Sequence, residues 1–255
     1  MRRIVLAFAS AAVIASVGFA VEAKGPPKIP AYVSAALGDK SRPEADLKLD
    51  EARKPGDLMA FAGVKPGMKV GDFMPGGGYF TRLFASAVGP KGVVYAYVPS
   101  EQVKANPKAE ERGMGLAKDY GNVRYITSPV AAFAPPEKLD MVWTSLNYHD
   151  LHDPFMGPAD VAAVNAAVFK ALKPGGVYIV IDHAAAAGSG LRDTDTLHRI
   201  DPATVKAEVT KAGFKLESVS PLLANPEDDH TKKVFDTSIR RHTDQFVYKF
   251  RKPKR

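Results

Sequence analysis

The chain has 255 residues, 45% of them hydrophobic and 25% charged, with a net charge of +7 and no cysteine. A length of this order is enough for one large α/β domain with a sizeable core, and the composition is that of a soluble globule. The lack of cysteine excludes thiolate catalysis, cysteine-ligated zinc and disulfides, and the dispersed basic charge, with no aromatic residues interleaved, gives no nucleic-acid footprint.

Residues 1–23 read as a signal peptide: Arg2 and Arg3 form a basic start, Ile4 to Phe19 an apolar core, and small residues offer cleavage after Ala20 or after Ala23. The expectation is a periplasmic or secreted protein that does not touch the membrane once the leader is cut. Residues 24–40 are a linker and N-terminal segment, Pro-rich from Lys24 to Pro30, with a short helix over Tyr32 to Leu37. Residues 41–255 form a single domain. A helix is predicted over Arg42 to Arg53, capped by Ser41 with Pro43 at its first position. Asp46, Asp50 and Arg53 share one of its faces, read as solvated, with a lid over a ligand site as the alternative. Pro55-Gly56 ends that helix, and Asp57 to Gly63 gives another turn or two.

The chain is organised around Met68 to Tyr79, where an apolar run ending in Asp72-Phe73 enters Pro75-Gly76-Gly77-Gly78 and then a helix over Tyr79 to Val88. Glycines let a ligand approach the backbone and permit positive φ, and the helix start beyond them offers free N–H groups. Neither a G-x-G-x-x-G pattern nor a P-loop is present. Further strands are predicted over Val93 to Val98, Val123 to Thr127, Leu139 to Leu146, Val177 to Asp182, Phe214 to Ser220 and Gln245 to Phe250. Helices are predicted across Glu101 to Tyr120, broken near Pro107, over Pro158 to Leu172, ended by Lys173-Pro174-Gly175-Gly176, and over Asp201 to Ala212, with Asp201 as cap and Gly213 as stop. Alternating strands and helices imply a parallel sheet covered on both faces. Ligands of such sheets sit at the carboxyl ends of the strands, where Asp72, Asn147 to Asp150 and Asp182-His183 fall.

The order VGDFMPGGGY, VVYAYV, LDMVWTSLNYHD, LKPGGVYIVIDH resembles the class I S-adenosylmethionine-dependent methyltransferases. With Leu197 to Asp201 (LHRID) and Asp228 to His230 (DDH), it is similar to a group of exported bacterial predicted methyltransferases. The resemblance implies a Rossmann-like α/β fold, a seven-stranded, mostly parallel sheet of order 3-2-1-4-5-7-6 with helices on both faces. It implies S-adenosylmethionine as cofactor and a small-molecule methyl acceptor. Asp72, Gly76, Gly77 and Gly78 would line the methionine end and ribose, Ser128 the adenine, and Asn147 and Tyr148 the methyl sulfonium. In the family the second strand ends in an acid that holds the ribose. Here Val98 stands at that position, and Glu101 is the nearest substitute.

Histidine near pKa 6.5 suits proton transfer at neutral pH, so His149, beside Tyr148 and Asp150, is the candidate base. No metal site is assigned. An alternative function uses His149, Asp150, Asp182, His183, His198 and His230 as ligands of a metal-dependent hydrolase or lyase. Another is a non-catalytic periplasmic ligand-binding protein on the same fold. No feature sets an oligomeric state.

Overall fold

The structure, a computed structural model, describes residues 28–157 and 159–254, so the predicted signal peptide lies outside the described residues. The chain begins with four short helices, α1 (Ala31–Leu37), α2 (Glu44–Leu47), α3 (Asp50–Arg53) and α4 (Pro55–Ala62). It then alternates: β1 (Lys69–Phe73), α5 (Tyr79–Val88), β2 (Val93–Tyr97), α6 (Ser100–Ala105), α7 (Lys108–Asp119), β3 (Val123–Ile126) and β4 (Leu139–Ser145). The second half holds α8 (Val161–Ala171), β5 (Leu172–His183), α9 (Thr194–Leu197), α10 (Pro202–Lys211), β6 (Lys215–Ser220) and β7 (Gln245–Arg251). The strands form one sheet of order 3-2-1-4-5-7-6. β1 to β5 are parallel, and β7 pairs antiparallel with both β5 and β6. That is the expected fold.

Side-chain alternation splits the core into two layers. On one face Val70, Met141, Trp143, Ile179 and Ile181 pack beneath α1, α4, α5 and α7. On the other, Phe73, Val142, Tyr178 and Val180 pack beneath α8 and α10. Asp160 caps α8 by accepting from Ala163 N–H at 3.0 Å, and Asp201 caps α10 by accepting from Ala203 N–H at 2.8 Å. Among the described residues no helix is long and apolar enough to cross a membrane.

Three local expectations are corrected. The predicted Arg42–Arg53 helix is two one-turn helices, with Pro43 rather than Ser41 before the first. Ser41 instead turns its hydroxyl to Asp39 at 2.8 Å. The preceding helix does end at Arg53, ahead of Pro55-Gly56, but these two residues also open α4, because a proline at N1 lacks only an N–H that has no helical partner there. Gly56 packs closely here, since a Cβ would sit 2.8 Å from Ile29 Cδ1 and displace the end of that side chain. Lys173-Pro174-Gly175-Gly176 lies inside β5, where Gly175 takes φ 78° and the register against β4 shifts between Leu139 and Met141.

The α2–α3 segment is not solvated on the face that carries Asp46, Asp50 and Arg53. Arg82 of α5 grips the buried Asp46 at 2.7 and 3.0 Å. Asp50 receives Arg42 at 2.6 and 2.8 Å and the Tyr79 hydroxyl at 2.6 Å. Arg53 lies over the Tyr79 ring, 4.5 Å from its centroid. The opening helices are thereby fastened to the helix that follows the glycine turn.

Candidate functional site

The carboxyl ends of β1 and β4 open into a cleft of about 250 Å³, whose wall includes Arg53, Asp72, Gly76, Gly77, Asn147 and Asp150. Its floor is built by backbone. After β1, Met74 adopts φ 60°, an unusual conformation for a side chain of that size. It is held there from both sides: Met74 N–H donates to Tyr97 O at 2.9 Å, and Asn147 Nδ2 donates to Met74 O at 2.6 Å. Asn147 is itself bonded to Thr144. Gly76 and Gly78 take φ 56° and 81°, and Gly78 is the N-cap of α5. The carbonyls of Gly76 and Gly77 are engaged by Arg112 at 3.2 Å and Arg82 at 2.8 Å.

Asp72 is 3% exposed and accepts the Thr81 hydroxyl at 2.6 Å. Burial pushes its carboxyl up to about 7, against the pull of Thr81 and of the Arg53 charge.

Beside the cleft lies a second cluster. His149 begins a 3-10 turn (His149–His152) just beyond β4 and is 3% exposed. Its backbone N–H and Nδ1 both meet Asp182 at the end of β5, at 2.8 and 2.9 Å. Its Nε2 lies 3.2 Å from His198 Nδ1 and 3.2 Å from Asp150 Oδ1. Burial works against charge on this imidazole, but Asp182, with smaller help from Asp150 and Asp153, carries it up to about 9. Burial likewise opposes the charge of Asp182, and His149 reverses that, leaving Asp182 below the usual carboxylate range. Burial pushes Asp150 up to about 7 and raises Asp153, and it lowers His198 and takes His183 down to about 4.

Of the residues singled out from sequence, Asp72, Gly76, Gly77, Asn147 and Asp150 share the cleft wall, and Gly78 adjoins it. Four fall elsewhere. Tyr148 is fully buried in the opposite core layer, its hydroxyl donating to Glu208 at 2.9 Å and accepting from Asn165 at 2.8 Å. It therefore does not stand beside a methyl group in the cleft. Glu101 spends its carboxylate on Val130 N–H at 3.0 and 3.1 Å, and its neighbour Gln102 faces the cleft. Ser128 donates to Ala132 O at 3.1 Å and is not part of the cleft wall. His149 has one ring nitrogen on Asp182 and the other on Asp150 and His198, and it is not part of the cleft wall, whereas its neighbour Asp150 is. Val98 is 2% exposed and lies against α7, where a Cβ on Gly113 would sit 3.2 Å away.

Arg53 is absent from the sequence-derived cofactor residues, and its place in the cleft wall favours the alternative reading of its face as a lid over a ligand site. Its signal was the shared face with Asp46 and Asp50, and only the fastening of that face to α5 brings it to the cleft. The LHRID and DDH segments do meet, through Arg199. This guanidinium is fully buried and donates to Ala184 O at 2.9 Å, Lys232 O at 2.9 Å and Asp228 at 3.1 Å. His230 and His183 belong to this framework, on Asp244 at 3.0 Å and Thr243 at 2.7 Å respectively.

No protein-family model matches the chain. A ubiquinone/menaquinone biosynthesis C-methyltransferase, UbiE, of Shewanella sp. (strain ANA-3) is 32% identical over 126 residues, which is 48% of this chain and 45% of that one. The match thus spans about half the length of that relative. An S-adenosylmethionine-dependent methyltransferase from Mesorhizobium loti superposes with a TM-score of 0.56 at 16% identity, over 80% of this chain and 99% of that one. One from Aquifex aeolicus does so with a TM-score of 0.53 at 21% identity, over 86% and 98%. The [4+2]-cyclase SpnF also superposes, with a TM-score of 0.53 at 17% identity over 82% and 81%. At these identities the likeness establishes the fold, that of the class I methyltransferases, and the cyclase shows that this fold also serves other chemistry.

Proposed function

We propose that this chain is an S-adenosylmethionine-dependent methyltransferase acting on a small molecule. The observation that carries the reading is the cleft at the carboxyl ends of β1 and β4, floored by the glycine turn and walled by Asp72, Asn147 and Arg53. Its charges suit an amino-acid end. Asp72 would meet an ammonium and Arg53 a carboxylate, while the exposed turn at Gly76 and Gly77 lets the ligand lie against backbone. Gln102, rather than Glu101, is the side chain placed to meet ribose hydroxyls. When bound, S-adenosylmethionine would supply an electrophilic methyl group on its sulfonium, and the cleft residues would hold it in line with the acceptor.

A neighbouring pocket of about 330 Å³ shares Arg53 and Leu146 with the cleft and adds Leu49, Val234, Phe235, Arg240 and Arg241. Apolar walls with three arginines suit an apolar acceptor that carries an anionic group. The UbiE relatives, which by their name act in ubiquinone and menaquinone biosynthesis, support the small-molecule acceptor.

A thermal shift with S-adenosylmethionine and with S-adenosylhomocysteine tests the reading. At 100 times its Kd a ligand adds about 2.7 kcal/mol, a rise of roughly 5–10 °C for a chain of this size. No rise with either compound at millimolar concentration overturns it. Export is proposed from residues 1–23 alone. N-terminal sequencing of chain recovered from the periplasm should begin at Val21 or Lys24, and an uncut chain held in the cytosol refutes it.

A further inference from the structure

We infer that His149, Asp150, Asp153 and His198 form a binding site for a divalent first-row transition metal ion at the edge of the cleft. Each of these residues offers one ligand atom, and the four atoms all lie within 4.8 Å of one another. The two tightest pairs, His149 Nε2 with His198 Nδ1 and His149 Nε2 with Asp150 Oδ1, are each 3.2 Å apart. Two donors bound at ~2.0–2.1 Å to one tetrahedral ion stand about 3.3–3.4 Å apart, so these pairs already have the spacing of shared ligands.

A second observation is independent of that spacing. Asp153 is 1% exposed, and among the described residues neither of its carboxylate oxygens has a hydrogen-bond partner of good geometry, the Thr194 hydroxyl being the one donor close enough to pull on it. The nearby Thr194 hydroxyl is directed to the Leu191 carbonyl at 3.3 Å. A buried carboxylate without a well-placed donor is costly, and natural structures keep such a group where an ion or a proton completes it. Around it stand Asp150, Asp195 and two imidazoles, and the charge of Lys233 reaches His198.

The outer contacts are those of a metal centre. Metal-bound histidines commonly give their other ring N–H to a carboxylate, which fixes the ring and its tautomer. Asp182 does this for His149, accepting at Nδ1 while also accepting from the His149 backbone N–H. Nε2 is left as the donor atom toward His198 and Asp150. For His198 the backbone takes φ 54°, and its ring is packed edge-on against Phe235 at 5.0 Å. Two nitrogens and two carboxylate oxygens suit zinc, manganese or iron(II) and not calcium or magnesium. Asp150 also lines the cleft, which places such an ion next to whatever occupies it. The inference does not depend on the cofactor reading, because Asp153, His149 and His198 are not part of the cleft wall.

The test is metal stoichiometry. The full chain is stripped with chelator, incubated with Zn²⁺ or Mn²⁺, desalted and assayed by mass spectrometry. Alongside it run Asp153→Asn, which keeps the side-chain shape, His198→Gln, and His242→Ala as an exposed control; far-UV circular dichroism confirms folding. The expected result is about one ion per chain in the wild type and in His242→Ala, and under about a tenth in Asp153→Asn and His198→Gln. Substoichiometric binding of both metals by the wild type, or full binding by either folded ligand variant, overturns the site.

Discussion

Asp72 and Asp182 sit at the ends of β1 and β5, two positions across the same sheet edge, and both are buried. Their charges are handled in opposite ways. Asp72 has one hydroxyl donor and a more distant arginine, and burial prevails, lifting it to about 7. Asp182 is met by the His149 ring and by the backbone N–H groups of His149 and His183, and these outweigh burial. The same strand-end position thus yields a carboxyl poised to change charge on one side and a fixed anion on the other. What differs is the number of donors, and that number depends on where distant segments of the chain arrive.

The sharpest way to break this comparison is Asp182→Ala. Removing one partner of a buried charged pair costs about 3–5 kcal/mol, read as a lower urea midpoint at unchanged slope. A loss under about 1 kcal/mol, the worth of an exposed pair, would show that Asp182 and His149 are not coupled.

Asp72→Asn should act in the other direction. With a folded-state pKa of about 7 against 3.8 for an ordinary aspartate side chain, the folded chain holds this proton more tightly than the unfolded one. The stability Asp72 contributes is therefore present in full below pH 3.8 and is lost as the pH rises to 7, by about 2–4 kcal/mol, after which it is level. The asparagine variant removes that decline and is the more stable chain at pH 8. A bound cation beside Asp72 favours the ionised form, so cofactor affinity should rise with pH up to about 7 and lose that dependence in the variant. Parallel stability curves for the two chains between pH 4 and 8 would refute the buried, protonated Asp72.

A smaller effect separates the two halves of the glycine turn. Gly78 has φ 81° and a Cβ there would lie 2.5 Å from Leu116 Cδ2, so Gly78→Ala should cost about 1–3 kcal/mol. At Gly77 a Cβ meets nothing within 4 Å. Gly77→Ala should stay within about 0.5 kcal/mol of wild type while cofactor binding weakens about tenfold or more, because the added methyl stands on the cleft wall. Calorimetric titration against a thermal melt separates the two outcomes, and unchanged affinity in Gly77→Ala would place the ligand elsewhere.

The same contrast accounts for what was legible in the sequence. Asp72, Gly76, Gly77 and Gly78 are read directly, because strand, turn and helix follow one another and local rules govern all three. The caps at Asp201 and Gly213 are legible for the same reason. Asp153 and His198 meet only after the 3-10 turn beyond β4 and the loop after β5 have folded, and periodicity is silent about both. Tyr148 was misplaced by sequence proximity: on the tight turn after β4, its side chain faces one core layer and that of its neighbour His149 faces Asp182. Arg53 was misread because its charged companions Asp46 and Asp50 look like a solvated stripe until their partners on α5 are known.

The connection between β6 and β7, residues 221–244, has no helix or strand of its own. Connections of that length ordinarily open and close independently of the body they adorn. Here Arg199 bolts it to the strand ends: one guanidinium is shared between Ala184, Lys232 and Asp228, and Asp228 also accepts from the backbone of His230 and Asp244. Opening the connection strands a fully buried cation, so the amides of His230 and Asp244 should exchange with solvent water only when the centre of the sheet does. The longest irregular stretch among the described residues should thereby belong to the slowest-exchanging unit.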